Sequence, residues 1–165
     1  MTQLPRRALL GLLGTGSLAA FVLGGRRADA NPHAQHAHPF TLSDDEWKRR
    51  LSPKRYRILR KAGTEPPFSH AYNDEKRRGT YHCAGCDALL FTSETKYESR
   101  SGWPAFYAAK LDAIHYERDT SMMMVRTEEH CARCGGHLGH VFDDGPKPTG
   151  KRHCINGLAL KFKPA

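Results

Sequence analysis

Four of the chain's five cysteines fall in two C-x-x-C pairs, Cys83 with Cys86 and Cys131 with Cys134, separated by 44 residues. No other feature restricts the fold as much. Two residues between thiolates let both reach one ion, and two such pairs complete a tetrahedral site. Gly85 inside the first pair and Gly135-Gly136 after the second suit the tight turns this requires. The competing reading is two disulfides, but a bond across a C-x-x-C is usually redox-active rather than structural. The pattern predicts one zinc ion per chain, with four thiolates and no open position for water or substrate. It also ties the segment near Cys83 to the segment near Cys131, which would reinforce a small core.

A length of 165 residues suits one domain plus an N-terminal extension. Arg6-Arg7 stand directly before an uncharged, mostly apolar run from Ala8 to Gly25, and Ala28-Asp29-Ala30 places small residues where a signal peptidase reads. Residues 1–30 therefore read as a signal peptide. The start resembles a twin-arginine signal, with Pro5 where Ser or Thr is usual. The expected destination is export, periplasmic or otherwise extracytoplasmic. The alternative is a membrane anchor through an uncleaved signal, since a run of 18 residues is borderline for a span. Five glycines inside it weaken a helix. Residues 31–40, with His33, His36 and His38, read as a linker. The net charge is +9, of which residues 1–30 carry +3. The other basic residues are interleaved with acids and form no stripe, so nucleic acid is not an expected partner.

Residues 41–165 read as the folded domain. Ser43 and Glu46 form a capping box that opens a short helix through about Arg50. Ser52-Pro53 opens a second, with Tyr56, Leu59 and Arg60 at helical spacing and Gly63 as its stop. From Pro66 onward, short β-compatible pieces sit between turn residues: residues 80–82, 88–91, 122–125 and 158–162. The expected fold is mainly β, with short N-terminal helices and a mostly antiparallel body.

Cys154 is the odd cysteine. If Arg152-His153-Cys154-Ile155-Asn156 is a strand, Arg152, Cys154 and Asn156 share one face. That face carries a cation that favours thiolate and an amide that can donate. His153 points the other way and reads as a partly buried surface residue. His137 and His140, just beyond the second knuckle, read as acid–base groups, because four thiolates already saturate the metal. Trp103 and Phe106, in Ser101-Gly102-Trp103-Pro104-Ala105-Phe106, read either as core aromatics or as an apolar wall for a small methyl-bearing substrate.

Across residues 41–163 the chain resembles the methionine-R-sulfoxide reductase B family. The matching segments are residues 63–68, both knuckles, residues 101–106, residues 137–146 and residues 152–156. The resemblance implies two antiparallel sheets, zinc at Cys83, Cys86, Cys131 and Cys134, and Cys154 as catalytic nucleophile. It implies Trp103 as the ring against the substrate methyl group, and His137, His140, Arg152 and Asn156 as active-site polar residues. The implied substrate is methionine R-sulfoxide, free or in proteins. The implied reductant is thioredoxin-like or a small thiol, and the chain is expected to act as a monomer. Two residues depart from the family pattern: Ser101 stands where many members carry a recycling cysteine, and His153 where Tyr or Phe is common. The rival readings are an exported zinc-ribbon binding module and a thiol–disulfide oxidoreductase using a C-x-x-C pair.

Overall fold

The computed structural model describes residues 38–165. The predicted signal peptide, and the predicted linker up to residue 37, lie outside the described residues. Helix α1 spans Asp44–Arg50, with the predicted reciprocal capping of Ser43 and Glu46. Its acids sit in the first turn and its bases in the last, matching the helix dipole. Helix α2 spans Pro53–Lys61, capped by Ser52 and stopped by Ala62 in the left-handed conformation. Among the described residues no helix is long and apolar enough to cross a membrane.

Among the described residues, nine strands follow. They are β1 (Gly79–Cys83), β2 (Leu89–Thr92), β3 (Lys96–Tyr97), β4 (Ala105–Phe106), β5 (Ile114–Asp119), β6 (Arg126–Cys131), β7 (His137–Phe142), β8 (Arg152–Ile155) and β9 (Leu160–Pro164). They form two antiparallel sheets, one ordered β2-β1-β9 and the other β3-β4-β8-β7-β6-β5. The core draws on both sheets and both helices, including Trp47, Leu59, Tyr81, Phe91, Leu138 and Leu160. Phe91 of one sheet stacks on Phe106 of the other at 4.3 Å between ring centres. Burial of such rings, at about 25 cal/mol per Å², is the main force holding the sheets together.

Several expectations change. Residues 122–125 are not a strand. β5 and β6 pair in register to Asp119↔Arg126, so the chain between them must reverse, and these residues form that exposed connection. The final strand begins at Leu160, because residues 157–159 are a 3-10 turn. The end of the predicted linker is docked. His38 Nδ1 lies 3.0 Å from the Ala132 carbonyl, and the Phe40 ring packs edge-on to Trp47.

Candidate active site and metal centre

Cys83 ends β1 and Cys86 lies in the turn to β2, while Cys131 ends β6 and Cys134 lies in the turn to β7. The two turns have the same construction. The Asp87 N–H donates to the Cys83 carbonyl at 2.9 Å, and the Gly135 N–H to the Cys131 carbonyl at 2.8 Å. The residue after each second cysteine is left-handed, Asp87 at φ 64° and Gly135 at φ 66°. Gly85 was the expected pivot of the first turn. Asp87 takes that role, and Gly85 instead gives room to the Trp47 ring.

The four sulfur atoms lie within 4.8 Å of one another and are buried, so the cluster could hold one metal ion. Cys83 Sγ is 3.7 Å from Cys134 Sγ, and Cys86 Sγ is 3.6 Å from Cys131 Sγ. Three arginines donate to carbonyls of the turns: Arg50 to Gly85, Arg60 to Cys134 and Arg133 to Cys86, at 2.8–3.0 Å. Positive charge thus surrounds a site where thiolates would gather.

Cys154 lies on β8 between Ala105 of β4 and His140 of β7, and His140 in turn faces Glu128 of β6. Directly opposed residues of antiparallel strands share a face, with Cβ atoms about 5 Å apart. Cys154, His140 and Glu128 therefore form one row across the sheet. His140 Nε2 bonds Asp119 Oδ2 at 2.9 Å, and Asp119 also accepts from Arg126 at 2.6 Å. His137 Nδ1 bonds Glu128 at 2.5 Å, and Glu128 lies 3.3 Å from His130.

These contacts set the protonation states. Burial lowers the His140 imidazole below its ordinary value, and the Asp119 bond only partly opposes this. Burial would raise Glu128, but hydrogen bonds from His130 and His137 overcome it and hold the carboxyl well below the usual range. Burial raises the Cys154 thiol, and the Ser101 hydroxyl and Arg152 only partly pull it back. The expected help of Arg152 to the thiolate is present but outweighed.

Ser101 Oγ is 3.7 Å from Cys154 Sγ. The Arg152 guanidinium is held by Asp144 at 2.7 and 2.8 Å and lies over the Phe142 ring. The Trp103 indole N–H donates to the Glu65 carbonyl at 3.0 Å, which fixes the ring plane. A narrow cleft beside Trp103 is lined by Phe68, Tyr97, Ser99 and Gly102 among others.

Three predicted placements are corrected. Phe106 was expected to line the substrate site, but it is fully buried against Phe91 and Tyr81 and is a core residue. The Asn156 side chain is engaged with backbone at both ends, donating to the Leu138 carbonyl and accepting from the Glu65 N–H, each at 3.0 Å. It braces the strand end rather than standing free to meet a thiolate. His153 does point away from Cys154, but it is buried and bonded to buried Glu129 at 2.6 Å, not a surface histidine.

Sequence reasoning also missed Glu65, Asp119 and Glu128. Glu65 is the hub of the region. Its carboxylate accepts from the Gly157 N–H at 2.5 Å and the Leu158 N–H at 3.0 Å, while its backbone holds Trp103 and Asn156. The available signal was an acid at an inward-facing position of each strand flanking the 120–125 connection.

The family model described as the SelR domain matches residues 51–164. The chain is similar to several proteins named peptide methionine sulfoxide reductase MsrB. The protein from Leptospira interrogans is 55% identical over 122 residues, covering 73% of this chain and 93% of that protein. The one from Pseudomonas putida strain W619 is 56% identical over 121 residues, covering 73% and 91%. The one from Methanosarcina barkeri is 52% identical over 122 residues, covering 73% and 86%.

Proposed function

The chain belongs to the MsrB family of peptide methionine sulfoxide reductases, and we propose that it reduces methionine R-sulfoxide through a sulfenic acid on Cys154. The observation that carries this is the row Cys154–His140, which sets the one cysteine outside the cluster opposite an imidazole that burial keeps neutral. Neutral His140 takes the thiol proton, and the Cys154 thiolate attacks the sulfoxide sulfur. The sulfur–oxygen bond breaks as His140 returns the proton to the departing oxygen. The oxygen and its hydrogen pass to the Cys154 sulfur as the sulfur–sulfur bond formed by the attack breaks and its electron pair returns to the substrate sulfur, so Cys154 is left as sulfenic acid and methionine leaves. Two thiols of a thioredoxin-like or small reductant then restore Cys154, yielding a disulfide and water. Trp103 forms the apolar wall for the substrate methyl group. Arg152 offers positive charge beside the thiolate, and His137 is the second acid–base group, oriented by Glu128. Asn156 acts as a positioning residue.

Zinc suits the four-cysteine cluster. A tetrahedral ion with sulfur ligands at about 2.3 Å separates neighbouring sulfurs by about 3.8 Å, close to the 3.6 and 3.7 Å found here. Four thiolates would leave the ion no open position, so its role is to tie the two sheets together. Burial of all four sulfurs argues against thiol–disulfide exchange at either pair.

Residues 1–30 are an export signal on the strength of Arg6-Arg7, the apolar run and Ala28-Asp29-Ala30. The domain of residues 41–165 then works outside the cytoplasm as a monomer.

The test is turnover on a methionine sulfoxide peptide separated into its R and S epimers. The R epimer alone should be consumed, and Cys154→Ser should abolish the reaction. Equal turnover of both epimers, or a competent Cys154→Ser protein, overturns the proposal.

A further inference from the structure

The chain has four methionines: Met1, Met122, Met123 and Met124. The last three are consecutive and occupy the connection between β5 and β6. The folded domain therefore has no methionine in its core. All three are exposed, Met122 at 75% and Met123 at 102%. Met122 and Met123 both adopt left-handed backbone, at φ 54° and 57°, which residues with a Cβ seldom do twice in succession. The connection is anchored at its base beside the reaction centre. The Ser121 N–H donates to Asp119 at 2.8 Å, Arg126 bonds both Asp119 and the Ser121 hydroxyl, and Asp119 holds His140.

We propose that this methionine loop is an oxidation site of the enzyme and that a second copy of the enzyme repairs it. The inference rests on the reductase reading above. A thioether exposed to solvent offers no steric obstacle to a peroxide. One peroxide oxygen is transferred to the methionine sulfur, giving a sulfoxide and water. The loop then presents the substrate of the reaction on an accessible, irregular segment. Cys154 of another molecule takes the oxygen as sulfenic acid, and two external thiols return it as water with formation of a disulfide. Repair runs between molecules because the loop side chains project into solvent. The loop beside the site thus intercepts oxidant without any loss of core packing.

The chain's own cleavage pattern makes the test direct. Trypsin cuts after Arg118 and Arg126, so the peptide Asp119–Arg126 isolates these three methionines from Met1. Full-length Cys154→Ser protein, which cannot repair itself, is treated with hydrogen peroxide, and the peptide is mapped by mass, each sulfoxide adding about 16 Da. It is then incubated with a catalytic amount of the unaltered enzyme and a dithiol. A methionine sulfoxide peptide of unrelated sequence is present in the same tube. We expect the loop to oxidise at least as readily as an unstructured, reduced methionine peptide treated separately with the same peroxide. About half of its sulfoxide should then be removed, since chemical oxidation forms both epimers and one is reduced. A loop that resists peroxide overturns the proposal. So does a loop whose sulfoxide persists while the companion peptide is reduced. Failure on both substrates removes the reductase reading and this inference with it.

Discussion

Glu65→Gln is the substitution that most directly tests how the site is held. The carboxylate is buried and accepts two backbone N–H groups, from Gly157 and Leu158, at 2.5 and 3.0 Å. An amide of the same shape has one oxygen and one NH₂ group. In either rotamer one of the two backbone donors faces another donor. The loss is a charge-assisted hydrogen bond, about 1.5–3 kcal/mol, with a desolvated donor left unmatched. For a domain of this size each kcal/mol moves the melting temperature by about 3–5 °C. Calorimetry should therefore show a fall of about 5–15 °C. The Glu65 backbone also positions Trp103 and Asn156, so the Michaelis constant should rise more than kcat falls. A melting temperature within 2 °C of the parent, with unchanged kinetics, would refute the view that this carboxylate organises the site.

Cys131→Ser should lose bound zinc by elemental analysis and melt at a lower temperature, whereas equal melting temperatures would remove the metal from the stability argument. A single turnover without reductant should yield about one methionine per enzyme and one sulfenic-acid label, because the other four cysteines are clustered away from Cys154. Zinc release with a disulfide from Cys154 to the cluster would contradict it. Since Ser101 Oγ lies 3.7 Å from Cys154 Sγ, Ser101→Cys should instead form an internal disulfide after that turnover. Burial raises the Cys154 thiol, so alkylation of the resting enzyme should reach half its maximal rate above the ordinary thiol value of 9.0, and a midpoint below that would show the cation dominating. Glu128 is held well below its ordinary 4.5, so its contribution to stability is complete above that value and is lost as pH falls beneath it. Glu128→Gln should flatten the dependence of melting temperature on pH between 5 and 3, and parallel curves would count against the assignment.

The parts of the fold that could be read directly were those with strong local signals. Ser43 with Glu46, Ser52-Pro53 and the paired cysteines each act within a few residues, and each appears in the structure as expected. β5, β6 and β7 were not anticipated because their inward positions break the apolar alternation that marks a strand. In Arg126–Cys131 the buried residues include Glu128, Glu129 and His130, which a hydropathy pattern assigns to solvent. Met122 to Val125 failed in the opposite sense. Its composition suits a strand, but the pairing of its neighbours requires a reversal there. Glu65 could not be found locally, since its partners lie about 90 positions away in sequence. Phe106 was misplaced because a strand of two residues carries too little pattern to say which face an aromatic takes.

The pair His153–Glu129 constrains how this sequence can drift. Burial pushes the Glu129 carboxyl up, and His153 is its one hydrogen-bonding companion among the described contacts. Replacing either alone strands a polar group in the core, a cost of about 1–3 kcal/mol, which is a sizeable part of a small domain's stability. Replacing both with apolar residues of matching volume is close to neutral. The two positions are therefore joined in inheritance: a lineage can hold the polar pair or an apolar one, and the single-step intermediates between them are the least fit. An aromatic residue at position 153 implies a different residue at 129, so these two sites, on β8 and β6 either side of β7, behave as a single character.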